Sequence, residues 1–139
     1  MPGIKKTVLS AATDLAGASD LFLGGNVQYT LAIPVDLTLM TNKEIDADGN
    51  LKPGIPLDRT GTMIGAAPAF VYGVTVELFK VAEDNTAPSI AALGTQDVPV
   101  TLLCAVVRDI AEDILDRAYT ANELAGFDRA GSKCILIDV

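Results

Sequence analysis

The stretch Val98-Pro99-Val100-Thr101-Leu102-Leu103-Cys104-Ala105-Val106-Val107-Arg108 is the most apolar run of this 139-residue chain, and the sequence changes period directly after it. The run is rich in valine and long enough for a strand, which places it at the centre of a sheet. From Asp109 to Ala118 the pattern becomes helical. Ile110, Ile114 and Leu115, with Ala111 and Ala118, form one apolar stripe. Asp109 is expected to cap that helix, since a carboxylate favours the positive end of the helix dipole. Thr120-Ala121-Asn122-Glu123 then matches a capping box, in which Thr120 accepts from a backbone N–H and Glu123 reaches back. A second helix over 121–130 is expected, closed by Gly131. The chain ends in a short apolar strand, Cys134-Ile135-Leu136-Ile137-Asp138-Val139.

Working upstream, Ala69 to Val81 predicts a strand buried on two faces, because both alternating sets are apolar. Residues 82–97 read as a polar turn with a short helical turn near Ile90–Leu93. Pro53, Gly54, Pro56, Gly61, Gly65 and Pro68 make 52–69 a loop. Asp48-Gly49 is a turn signal, since glycine takes positive φ cheaply. Val27, Tyr29, Leu31 and Ile33 alternate as in a half-buried strand. Pro34 and Asp36 interrupt it, and Leu37-Thr38-Leu39-Met40 is expected to resume it. Residues 1–25 are rich in Ala, Gly, Ser and Thr and read as an N-terminal arm, with Lys5-Lys6-Thr7-Val8-Leu9 as its one strand-forming piece. The expectation is an α+β protein: an arm over 1–25, then a single domain over 26–139. That domain has a β-rich body of short, mainly antiparallel strands and one or two short C-terminal helices.

Composition narrows the function. Hydrophobic residues make up 50% and charged residues 20%, with a mean hydropathy of +0.37. So small a chain cannot hide all of that surface, which points to contact with another subunit. Ten Lys and Arg against eighteen Asp and Glu give a net charge of −8. That balance disfavours nucleic acid and anionic membranes. The apolar runs fall short of a membrane span. With no histidine, the usual general base, metal ligand and pH switch are missing, so neither an enzyme nor a bound cofactor is expected. Asp46-Ala47-Asp48-Gly49-Asn50 lacks the spacing of a calcium loop. Asp109, Glu112, Asp113 and Asp116 share one helix face, which reads as solvated and partly relieved by Arg117 four positions after Asp113. Cys104 and Cys134 read as small buried hydrophobes, and a disulfide requires that their two strands pair.

The segment from Tyr72 onward resembles the head decoration proteins of tailed bacteriophages, the lambda head decoration family among them. Tyr72-Gly73-Val74-Thr75-Val76-Glu77 is similar to a glycine-containing strand of that family. A polar turn, the Val98–Arg108 strand, a helical stretch, the capped Thr120-Ala121-Asn122-Glu123-Leu124 helix, Asp128-Arg129-Ala130-Gly131 and the Ile135-Leu136-Ile137 end follow in the family's order. Val27–Met40 with the Asp48-Gly49 turn and Leu51-Lys52-Pro53 resembles its opening segment. Ala105 stands where the family often has glycine. The resemblance implies a structural protein on the outer surface of an expanded capsid. It implies a homotrimer at three-fold and quasi-three-fold positions whose partner is the major capsid protein. The arm, with Lys5, Lys6, Thr7, Val8 and Leu9, would meet the shell lattice by strand addition. The chain would be made in the host cytoplasm and located in the virion. Two other readings are a tail or head-fibre component, and an enzyme working through Asp58 or the 109–116 carboxylates.

Overall fold

The computed structural model describes residues 21–23 and 28–138. Its organiser is β6 (Thr95–Val107), a 13-residue strand. At about 3.3 Å per residue it is long enough to serve two pairing zones in succession. Its first part pairs antiparallel with β1 (Gln28–Asp36), from Gln28↔Leu103 to Asp36↔Thr95. On its other side Thr101 and Val100 face β4 (Gly73–Thr75), which pairs in turn with β3 (Pro56–Leu57). Its last part, Cys104–Val107, runs parallel to β7 (Cys134–Ile137). The five strands form one sheet in the order β1-β6-β4-β3, with β7 on β6. A separate ribbon joins β2 (Asn50–Leu51) to β5 (Phe79–Lys80). Among the described residues the helices downstream of β1 are α1 (Ala87–Ala91), α2 (Arg108–Leu115) and α3 (Ala121–Asp128). The α+β, β-rich class expected from the sequence is the one observed, with the apolar strand at its centre.

The core lies on the face of β6 that carries Val98, Val100, Cys104 and Val106, all buried. The three valines alternate along the strand as the period of two requires. Gly73 lets β4 approach this strand closely: a Cβ there would collide with the Val100 side chain and the Thr101 carbonyl oxygen. That is a physical reason for glycine in the Tyr72-Gly73-Val74 motif.

Several expectations are corrected. Leu21 and Phe22, assigned to the arm, belong to the core: Leu21 is fully buried beside Gly54 and Ala111, and Phe22 bridges Val106. Two large apolar side chains so close to a strand edge bury more surface by packing than by remaining in an arm. Ala69–Val81 is not one strand. After Thr75 the chain leaves the main sheet, and Phe79–Lys80 joins the other ribbon. The Asp48-Gly49 turn holds it there, since Val81 and Ala82 both donate to the Gly49 carbonyl. Gly49 has φ +80°, and a side chain on it would strike the Ala82 carbonyl. Pro34 does not interrupt β1, because edge strands tolerate a missing N–H. Leu37–Met40 is a turn, with Thr38 N–H and Oγ1 donating to Asp36 Oδ1.

Candidate interaction surface

The residues singled out for shell contact, Lys5, Lys6, Thr7, Val8 and Leu9, lie outside the described residues. Two other places combine unusual chemistry with unusual burial: a charged cluster inside the protein and an apolar face outside it.

The charged cluster grows from the end of α2. Asp116 adopts a left-handed conformation (φ 53°) and stops the helix. Arg117 therefore leaves the helical register and does not relieve Asp113, as its spacing predicted. Its side chain turns inward between two carboxylates. Nε donates to Glu44 at 2.6 Å, while Nη1 and Nη2 donate to the two oxygens of Glu123 at 2.7 and 3.0 Å. Glu44 and Glu123 are 1% and 0% exposed. Glu44 Oε1 also accepts from the Thr41 N–H and hydroxyl, and Glu123 closes the capping box on the Thr120 N–H. The capping box is as the sequence indicated, and Arg117 is what permits it to be buried. Burial pushes the guanidinium pKa down. The hydrogen bonds it donates to Glu123 and Glu44 outweigh that and hold it above the usual arginine value. Beside it, the Tyr119 hydroxyl donates to the Gly54 carbonyl at 2.6 Å, and its ring packs tilted against Phe127 at 5.7 Å. Burial holds the Tyr119 phenol well above its usual value.

This cluster fastens the 41–44 turn, the end of α2 and the start of α3 to one another. Its carboxylates are saturated by protein donors, and they line no described cavity. A shallow cleft of about 350 Å³ lies at the start of the 41–44 turn, lined by Met40, Thr41, Asn42, Asn85 and Ile90 among others, with no carboxylate. Asp58 is engaged in its own turn, accepting from Thr60 and Thr62. The acidic face of α2 divides. Glu112 accepts from Arg108 and the Tyr119 N–H, Asp116 pairs with Lys43, and Asp109 and Asp113 are exposed. Asp109 does not cap α2. The cap position is Val107, and Asp109 stands in the first turn. Likewise α3 ends at Asp128 before Gly131 is reached, and Gly131 takes φ +102° in the turn that follows.

The apolar face is the outer side of the sheet where β6 meets β7. Leu103, Ala105 and Val107 alternate with the core residues and so point away from them. The parallel register sets Ile135 opposite Ala105 and Ile137 opposite Val107. All five residues are apolar. Leu103 is 36% exposed and Ile135 54%, while the other three are half-buried. On β1, Tyr29 and Leu31 are also exposed, at 70% and 50%, but Leu31 stands opposite Val100 and so on the side of the core valines. The sequence marked both segments as apolar but did not pair them or assign their faces. No protein-family model, curated protein or solved structure matches this chain.

Proposed function

We propose that this chain is a structural decoration subunit of a tailed-phage capsid. It binds the outer surface of the expanded shell as a homotrimer, contacts the major capsid protein, and stabilises the shell against internal DNA pressure. The identity rests on the resemblance from Tyr72 to Val139. The single structural observation that supports it is the wholly apolar outer face formed by Leu103, Ala105, Val107, Ile135 and Ile137. Exposed apolar surface of this kind belongs to proteins that assemble, because water leaves it when a partner covers it. The net charge of −8 supports the same reading, since it keeps many copies soluble and away from DNA.

The test is the copy number of this chain in purified particles from its source, measured by quantitative mass spectrometry against the major shell protein. A ratio near one copy per shell subunit is expected. A few copies per particle would move the protein to a tail or vertex, and absence from particles would overturn the reading.

A further inference from the structure

Cys104 and Cys134 are direct partners in the parallel register of β6 and β7. Both are free, and they are 8% and 0% exposed. Adjacent strands lie about 4.8 Å apart, which falls within the Cα separation of roughly 4.4–6.8 Å that a disulfide spans. The side chains point to the same inward face, so the two thiols are neighbours. The Cys134 thiol in turn donates to the Thr101 carbonyl at 3.9 Å. Burial as a small hydrophobe accounts for each cysteine singly, but it does not call for two thiols side by side.

We propose that Cys104 and Cys134 are a latent disulfide site, which a peroxide closes to lock the C-terminal strand onto the centre of the sheet. The two sulfurs divide the work. The neighbouring thiols shift one another in opposite directions, Cys134 below its usual pKa and Cys104, with burial adding to it, above. In the proposed sequence Cys134 reacts first, as the thiolate, which is the reactive form. Its sulfur attacks one peroxide oxygen and the O–O bond breaks. The products are a sulfenic acid on Cys134 and a hydroxide, which takes the Cys104 proton to become water. The Cys104 sulfur then attacks the Cys134 sulfur, the S–O bond breaks, and the departing hydroxide takes up the proton first lost by Cys134. Two thiols and one peroxide give one disulfide and two waters. The bond joins positions 30 residues apart (134 − 104) and encloses α2, α3 and Arg117. It would stabilise chiefly by restricting the unfolded chain. The inference does not rest on the decoration reading and stands or falls without particles.

The test treats the folded, reduced chain with a small excess of hydrogen peroxide, then alkylates it in denaturant and measures the intact mass. The expected product is a monomer lighter by two hydrogens, with neither cysteine alkylated and a Cys104–Cys134 linked peptide in the digest. Dithiothreitol should restore both thiols, and the oxidised form should melt roughly 10 °C higher. Two alkylated cysteines, oxygen added to either sulfur, or a disulfide-linked dimer would overturn the proposal. C104S should lose the two-hydrogen product. Should that variant fail to fold, the wild-type chain treated in guanidinium serves instead. It must close more slowly than the folded chain, and equal rates would overturn the claim that strand register creates the site.

Discussion

The Arg117 cluster and the outer face of β6 and β7 invert the usual placement of polarity. In the first, three charges are inside the protein; in the second, five apolar side chains face outward. The difference lies in what each group still lacks. The buried carboxylates of Glu44 and Glu123 have their partners within the chain, so the fold leaves them nothing to bind. Among the described residues, the outer face has partners on its flanks and none above it. Burying a charge is tolerable only when it is paired and hydrogen-bonded, whereas exposing an apolar face merely forgoes the burial free energy that a partner can later recover. The cluster therefore belongs to stability, and the face is the surface proposed for association.

The largest effect that would sharpen this contrast is expected at Arg117. Arg117→Met leaves two carboxylates buried without a cation and should cost about 3–5 kcal/mol in urea unfolding at neutral pH. A loss under about 1 kcal/mol would show that water reaches the cluster and that the contrast is false.

A smaller effect is expected where the core face of β6 meets β4. Gly73→Ala forces a methyl group into Val100 and the Thr101 carbonyl, and overpacking of this kind costs about 1–3 kcal/mol. Chemical denaturation of the variant measures it. Unchanged stability would mean that β4 can back away, and that close approach is not what the glycine provides.

The smallest effect on stability is expected on the outer face. The double variant Leu103→Ser, Ile135→Ser should leave monomer unfolding within about 0.5 kcal/mol of the parent. It should nonetheless abolish self-association in analytical ultracentrifugation. A parent that is monomeric throughout, or a double variant that associates as the parent does, would remove the face from any subunit contact.

Much of this architecture was legible because it is local. Val98–Val107 announces a central strand through valine content and alternation. Thr120 and Glu123 announce a capped helix through their spacing, and Asp48-Gly49 a turn through its glycine. What escaped was set by segments far apart in sequence. Arg117 was assigned to Asp113 because four positions on a helix are neighbours, yet a left-handed Asp116 breaks that register and sends it to Glu44, 73 positions away. Leu21 and Phe22 looked like arm because their neighbours are small and polar. Nothing local reveals that Gly54 and Ala111 leave room for Leu21.

By itself the sequence determined the class of this protein, its central strand, the capping of its second long helix, and the absence of histidine chemistry. Periodicity, caps and composition act through residues a few positions apart and are present in the unfolded chain. Only the tertiary structure decided that Arg117 is enclosed by two carboxylates, that Cys104 is set opposite Cys134, and that, among the described residues, one face of β6 is buried while the other leaves Leu103 exposed. Each of these depends on which strands pair and in what register. Register is chosen by the simultaneous burial of many side chains, so no single segment contains it.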